Sequence, residues 1–381
     1  MCYTIFTEDT AMKTITRELP SLASDYPLEL LGEKEDILFL DIETTGFTAR
    51  SSSLYLVGCV YFRRDQFYLI QWFAEQPSEE RAVLEAFYAF AASYRQLVHF
   101  NGNHFDIPYM EQKCAQYKLP FRFDRFEGID LYVRITPLKH FLKLPNCKQK
   151  TIEAYLGISR EDTLSGGDLI SVYHDYVNSP SAKAYDALLL HNAEDIQGLV
   201  RLLPILSYAR LYQEGVRVVK VNANYYRDFH NESRAELVMK LSLPAPLPIS
   251  VSNYANGCFF SALGHNASLK VPLIDGELKF FYPNYRDYYY LPAEDTALHK
   301  SVSSFVDPDH RVAATAATCY TRKKSEYLPA WAPLFTPVFK SSYNAPDSYI
   351  ELTDERRQDR DFFASYATHV LQTMIENSRG K

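Results

Sequence analysis

Asp41 and Glu43 stand one residue apart at the end of the apolar run Ile37-Leu38-Phe39-Leu40, and a Thr44-Thr45-Gly46 turn follows at once. In a strand, positions i and i+2 face the same side, so the two carboxylates project together from a rigid edge. Adjacent like charges are unfavourable unless a cation lies between them, and hard oxygen ligands of this kind suit Mg2+ or Mn2+. Taken alone, the pair could equally be an acidic strand end turning into solvent. A third carboxylate, Asp106, follows the turn-forming Asn101-Gly102-Asn103 and precedes Pro108, which places it near the start of a helix. Ordinary N-capping would also account for it. His191 and Asp195 are four apart in an amphipathic stretch from Leu188 to Leu203 and share one helical face, where a structural histidine is the alternative. Together these residue types permit phosphodiester hydrolysis. Two divalent ions roughly 4 Å apart relieve the charge that repels a nucleophile, one activating a water and the other stabilising the leaving 3′ oxygen. An imidazole with an ordinary pKa of about 6.5, such as His191, suits the proton of that water near neutral pH.

Holding such groups requires a sheet with helices against it. Ile37–Leu40, Tyr55–Phe62 and Phe67–Phe73 read as successive strands, the last two joined by Arg63-Arg64-Asp65-Gln66. A helix is predicted from Ser78 to Tyr94, with Val83, Leu84, Phe87, Tyr88 and Ala91 as its apolar stripe, and Leu97–Phe100 as the next strand. Thr151–Gly157 reads as a short helix stopped by glycine. The order is β-β-β-α-β, with helices covering a mixed sheet.

Taken in order, the three acidic segments resemble the Exo I, Exo II and Exo III motifs of the DEDD (DnaQ-like) 3′–5′ exonuclease superfamily, whose fold is ribonuclease-H-like. Asp41 and Glu43 match the first motif and Asp195 the last. Asn101-x-x-x-Phe105-Asp106 matches the second and also resembles the proofreading domains of family B polymerases. The stretch from Ile158 to Leu203 is similar to the bacterial YprB-like ribonuclease-H-like family in three parts. These are Arg160-Glu161-Asp162-Thr163, the Tyr173–Tyr176 region, and His191-Asn192-Ala193-Glu194-Asp195-Ile196. The resemblance spans residues 35–208. It implies an α/β domain that removes nucleotides from the 3′ end of single-stranded DNA or RNA. Two Mg2+ or Mn2+ ions would be held by Asp41, Glu43, Asp106 and Asp195, with His191 completing the catalytic set. Thr44, Asn101 and Phe105 would lie beside the nucleic acid. One position departs from the pattern. The histidine branch places its His five residues before the last Asp, where Leu190 stands here, and the tyrosine branch places a Tyr four before it, where His191 stands.

At 381 residues the chain is long enough for two domains, read as a leader over 1–34, the ribonuclease-H-like domain over 35–208 and an accessory domain over 209–381. A hydrophobic fraction of 47% and a charged fraction of 23% are those of a soluble globular chain. No apolar run reaches membrane-span length, and the first residues lack a secretory pattern. The six cysteines form no C-x-x-C pair, which argues for reduced thiols, a cytoplasmic location and no zinc finger. A net charge of −7 argues mildly against tight nonspecific nucleic-acid binding. Locally the balance reverses. Leu131 to Ile152 contains no acid but carries Arg134, Lys139, His140, Lys143, Lys148 and Lys150. Lys139, Lys143 and Lys148 could hold backbone phosphates, or the segment could be a solvated face.

The second half is predicted to be mainly β, in an α+β domain. Leu243–Pro248 reads as a proline-rich linker or edge loop. Strands are expected at 216–222, 258–263, 267–273 and 278–282, a helical stripe at Leu298, Val302 and Phe305, and a final helix from Arg357 to Ile375. Tyr282–Tyr290 holds five tyrosines and one arginine, suited to stacking on bases or simply to a strand of high β-propensity. This half resembles C-terminal extensions that accompany such nuclease domains and carries no catalytic motif. A second functional class is therefore open, a catalytically weak nucleic-acid-binding or scaffold subunit of a repair or RNA-processing assembly.

Overall fold

The computed structural model describes residues 12–162, 164–332 and 334–377, and the chain divides into two compact units, Met1–Ala209 and Arg210–Lys381. The first unit is built on a six-stranded sheet ordered β1-β4-β3-β2-β5-β6. Its strands are β1 (Lys13–Leu19), β2 (Ile37–Thr44), β3 (Leu54–Arg63), β4 (Gln66–Phe73), β5 (Gln96–His99) and β6 (Glu127–Asp130). β1 to β4 pair antiparallel, whereas β2 pairs parallel with β5 and β5 with β6. The result is the mixed sheet flanked by helices that the motif order implies.

The helices of this unit are α1 (Glu80–Ala91), α2 (Asp106–Gln116), α3 (Leu131–Ile135), α4 (Gln149–Tyr155), α5 (Gly166–Asn178) and α6 (Ala182–Leu202). α7 (Leu206–Gln213) carries the chain across the division. All five residues of the predicted α1 stripe are buried. The α1 helix is shorter at both ends than predicted, because a 3-10 turn at Pro77–Glu79 precedes it and the helix ends at Ala91. Aromatic packing fills the core, with Tyr55 of β3 stacked on Tyr173 of α5 at 4.1 Å between ring centroids.

Part of the expected leader is not irregular. Residues 13–19 form β1, which pairs with β4 from Lys13↔Phe73 to Leu19↔Phe67. As an edge strand it buries only Ile15 among its seven residues, so it leaves no period-2 pattern in the sequence. The first eleven residues of that leader, Cys2 among them, lie outside the described residues, as does Thr163.

The second unit is antiparallel throughout. Its larger sheet is ordered β14-β15-β13-β9-β8-β7, and a three-stranded sheet has the order β11-β10-β12. Its strands are β7 (Arg217–Arg227), β8 (Ser233–Ala255), β9 (Cys258–Phe281), β10 (Tyr288–Leu291), β11 (Thr296–His299), β12 (Val312–Ala313), β13 (Tyr320–Ala330), β14 (Val338–Phe339) and β15 (Ser348–Glu351). Two helices close the chain, α8 (Asp354–Gln358) and α9 (Arg360–Asn377). Among the described residues no helix is long and apolar enough to cross a membrane.

Several expectations for this unit are corrected. The proline cluster is no linker, because Pro244, Pro246 and Pro248 lie inside β8. The ladder between β8 and β9 shifts register between Ser242 and Leu247 and again between Leu247 and Val251. Proline lacks the N–H that a regular ladder needs and is tolerated at such irregularities. The strands expected at 258–263, 267–273 and 278–282 are one continuous β9. The stripe of Leu298, Val302 and Phe305 is not a packed helix. It falls on β11 and a 3-10 turn at Lys300–Phe305, and Phe305 is 91% exposed. The tyrosine cluster forms a 3-10 turn and β10. Tyr282 stacks on Tyr288 at 4.7 Å, and Tyr289 lies under Lys300 and Arg311.

Candidate active site

β2 runs on past the predicted Leu40 to Thr44, so Asp41 and Glu43 belong to the strand itself. Because β2 pairs parallel with β5, their C-terminal ends open on the same side, the usual place for a site in such sheets. α2 begins at Asp106, just after the turn that leaves β5. That turn is tightly built. Asn101 has φ 59°, and Asp130 accepts from the backbone N–H groups of Asn101 and Asn103 at 2.8 and 3.1 Å. A Cβ on Gly102 would fall 2.6 Å from His99 Nδ1, so glycine is required where the turn crosses the buried imidazole. Asn101 thus serves the turn, through its backbone.

The fourth acid reaches the site by close packing of α6 on the sheet. Gly58 of β3 lies opposite Asp41 of β2 in the ladder. A Cβ at Gly58 would stand 2.0 Å from Asn192 Oδ1 and 2.3 Å from Ile196 Cδ1. With that space empty, Asn192 donates to Asp41 Oδ2 at 2.9 Å, while Gln71 of β4 donates to Asn192 Oδ1 at 2.9 Å and to the Leu189 carbonyl at 3.0 Å. On the same helix, His191 Nε2 lies 3.3 Å from Asp195 Oδ2 and 3.8 Å from Glu43 Oε1. Donor atoms of Glu43, His191 and Asp195 all lie within 4.8 Å of one another.

Arg160 and Asp162, which the sequence placed only within a segment of family resemblance and gave no role, add partners. Asp162 Oδ2 is 2.7 Å from His191 Nδ1 and 3.2 Å from Lys150 Nζ. Arg160 bonds Asp195 Oδ1 and also Glu153, whose Oε1 it meets at 2.5 Å. Glu153 is buried against Gly198 of α6, where a Cβ would stand 2.2 Å from its Oε1. Gln149 donates to the Asp195 carbonyl at 2.8 Å, joining α4 to α6. Of the basic stretch, Lys150 is therefore committed to Asp162. Lys143 and Lys148 are exposed, Lys139 is half-buried, and among the described residues none of the three makes an ion pair.

The rim is aromatic. Thr44 Oγ1 donates to the Gly46 carbonyl at 2.9 Å, and Ser52 joins Gly46 to Tyr109 of α2 at 3.0 and 2.8 Å. This turn presents Phe47, which is 88% exposed, edge-on to Phe105 with ring centroids 6.1 Å apart. Sequence reasoning singled out Thr44 and Phe105 but missed Phe47. A large apolar residue directly after the Gly46 turn was the available signal.

Burial, with the crowding of the acids second, governs the protonation of Asp41, Glu43 and Asp106. Burial pushes the Asp41 carboxyl up, helped by the charges of Asp195, Glu43 and Asp106 and opposed by the Asn192 hydrogen bond. Burial raises Glu43 likewise, with Asp195, Asp106 and Asp162 adding to it. Asp106 is pushed up to about 7 by burial, although the backbone N–H groups of Asp106 and Ile42 oppose the rise. Asp162 goes the other way. Its desolvation is outweighed by the Leu164 backbone N–H, His191 and Lys150, and its carboxyl sits below the usual range.

Carboxylates converging from β2, α2 and α6 with one histidine among them, those on β2 and α2 held against ionisation by burial, are a donor set that fits divalent cations. The sign of the pH effect follows. Protons on Asp41, Glu43 and Asp106 stabilise the metal-free fold fully below the ordinary carboxylate range, and that contribution is lost as pH rises through the raised values, for Asp106 through about 7. Cations compete with those protons, so Mg2+ and Mn2+ affinity rises from about pH 5.5 to about 8 and binding at about pH 6.5 releases protons. Calorimetric titration in buffers of different ionisation enthalpy measures this, and a binding heat independent of buffer would contradict it.

A family model of the ribonuclease H superfamily matches residues 38–207. Among solved structures, the family B DNA polymerase of the hyperthermophilic archaeon Pyrobaculum calidifontis is 12% identical, with a TM-score of 0.39 over 90% of this chain and 46% of the polymerase. Escherichia coli exonuclease I in complex with a dT13 oligonucleotide is 12% identical, with a TM-score of 0.28 over 55% of each chain. A structure described as the apo form of the nuclease is 16% identical, with a TM-score of 0.31 over 50% of this chain and 79% of that one. The chain thus spans about half the length of the polymerase and of exonuclease I. No curated protein matches it. With the mixed sheet of β2 to β6, its flanking helices and the superfamily match, the segment 38–207 has a ribonuclease-H-like fold.

Proposed function

We propose that the protein is a metal-dependent 3′–5′ exonuclease acting on single-stranded nucleic acid by a two-ion mechanism. The observation that carries this reading is that donor atoms of Glu43, His191 and Asp195 lie within 4.8 Å of one another, with Asp41 and Asp106 near enough for their charges to act on one another and on Asp195, beside the exposed Phe47 and the half-buried Phe105. Divalent ions held by the four acids would supply an activated water and offset the charge of the leaving 3′ oxygen. The chain's own residues do the positioning. Asn192 orients the Asp41 carboxylate, Arg160 holds one oxygen of Asp195 and leaves Oδ2 facing the site, and Phe47 and Phe105 offer ring faces and edges to a terminal base. The motif order supports the 3′–5′ direction by resemblance.

The test is digestion of 5′-labelled single-stranded DNA and RNA by the full chain with Mg2+, Mn2+ or a chelator. The expected result is shortening from the 3′ end, one nucleotide at a time, with either metal and none with chelator. Internal cuts would replace the exonuclease reading by an endonuclease one. Binding without cleavage would leave the second reading, a nucleic-acid-binding subunit. One observation favours that alternative, namely that Arg160 already supplies a positive charge to Asp195.

The exposed lysines yield a further expected result. Changing Lys139, Lys143 and Lys148 together to Ala raises KM about tenfold at moderate salt and flattens its salt dependence by up to about three units of slope, one per phosphate contact. The kcat stays near wild type, because these side chains make no contact with the acids. An unchanged salt slope would assign the segment to a solvated face.

A further inference from the structure

We infer that His191 Nε2 is itself a metal ligand, forming with Glu43 and Asp195 a site that takes a first-row transition ion such as Mn2+ in preference to Mg2+. This rests on the nuclease reading above and gives His191 a different task from the proton acceptor that the sequence suggests.

Three observations carry it. The first is spacing. Two donors on one ion, each about 2.1 Å from it, are about 3.0–3.4 Å apart in octahedral or tetrahedral geometry. Nε2 lies 3.3 Å from Asp195 Oδ2 and 3.8 Å from Glu43 Oε1, which are carboxylates on two different elements. A proton acceptor that works through a coordinated water would sit one hydrogen bond further out, about 4 Å or more from the ion. The second is orientation. The Asp162 carboxylate stands 2.7 Å from Nδ1, so that in the tautomer with the ring hydrogen between them Nε2 is the coordinating nitrogen. A carboxylate behind a histidine that faces other metal donors is the usual support of a metal-bound imidazole. The third is burial. The His191 and Asp162 side chains are only 6% and 4% exposed, so Nε2 is aimed at two carboxylate oxygens with little access to water.

Ligand chemistry then sets the preference. Mg2+ takes oxygen donors and keeps much of its water, whereas imidazole nitrogen favours the later divalent ions. Gly58 and Gly198 admit α6 to the distance at which one of its faces supplies both His191 and Asp195.

The full chain is titrated with MnCl2 and, separately, MgCl2 by calorimetry, and the Mn2+ sample is examined by pulsed electron paramagnetic resonance with natural-abundance and 15N-histidine protein. The expected result is histidine nitrogen coupling to Mn2+ and Mn2+ affinity at least tenfold above Mg2+. The coupling should be lost in His191→Ala, with Mn2+ affinity down about 10- to 100-fold and Mg2+ affinity within about twofold of wild type. Asp162→Asn, which leaves the imidazole in place, should weaken Mn2+ about tenfold or more and alter the coupling. If His191→Ala is poorly folded, Asp162→Asn and the isotope comparison still decide. Mn2+ binding without nitrogen coupling, or with equal affinity in His191→Ala, overturns the inference and marks His191 as a protonated partner of Asp162, Asp195 and Glu43, while the nuclease reading stands. Absence of any divalent-ion binding overturns both.

Discussion

Replacing Asp41 by asparagine is expected to reduce hydrolysis by about 10³-fold or more, because an ion worth several kcal/mol of transition-state stabilisation loses a ligand. The substitution is nearly isosteric, and the carbonyl oxygen of the new amide can still accept the Asn192 hydrogen bond, so the fold should persist. Its stability signature runs opposite to its activity. The Asp41 carboxyl is raised by burial and by the charges of Asp195, Glu43 and Asp106. A neutral side chain therefore avoids the cost of holding a buried, crowded carboxyl as pH rises. In chelator, Tm of Asp41→Asn should equal or exceed that of wild type. Saturating Mn2+ should raise wild-type Tm, since an ion at 100 times its Kd adds about 2.7 kcal/mol, and should raise the variant little. Near-wild-type turnover in a preparation free of host nuclease, or an undiminished metal-induced shift, would refute the assignment of Asp41. Asp195→Asn should likewise lose activity, and it tests in addition whether Arg160 needs a carboxylate partner.

Gly58→Ala is expected to have the second largest effect, although residue 58 bears no functional group. The new Cβ would stand 2.0 Å from Asn192 Oδ1 and 2.3 Å from Ile196 Cδ1. Neither neighbour is the free end of a flexible chain, because Asn192 is fixed by Gln71 and Asp41 and Ile196 is fully buried. The helix must move, at a cost of about 1–3 kcal/mol, seen as a Tm lower by several degrees. Displacement of α6 by even about 1 Å carries His191 and Asp195 away from Glu43 and should cost about 10²-fold in kcat. Asn192→Ala in the Gly58→Ala background should restore part of the stability and none of the activity, since it relieves the clash but leaves Asp41 without its donor. Equal kcat for Gly58→Ala and wild type would show that the close approach of α6 is not needed for the chemistry.

Much of the first unit was legible because its signals are local. The apolar run before Asp41 marks a central strand, the stripe from Val83 to Ala91 marks a helix, and the Asn101-Gly102-Asn103 turn with Pro108 marks the start of α2. β1 escaped because one buried isoleucine in seven residues makes no pattern. In the second unit, the proline cluster at Leu243–Pro248 was read as a linker or edge loop. β8 absorbs it as register shifts against β9, within strands of 23 and 24 residues. A strand so long is held by its neighbours, and local propensity has little hold on it.

By itself the sequence determined which residues are candidates to carry chemistry and on which elements they stand: Asp41 and Glu43 on a strand, Asp106 at a helix start, His191 and Asp195 on one helical face. These follow from periodicity and turn chemistry within a few residues. Only the tertiary structure decided how those groups are oriented. Asn192 holds Asp41 across 151 residues of chain, Asp162 turns His191, Arg160 links Asp195 to Glu153, and Phe47 meets Phe105 at the rim. The physical reason is that orientation depends on how closely α6 approaches the sheet. That distance is set by the missing side chain at Gly58, on a strand that carries none of the candidate site residues.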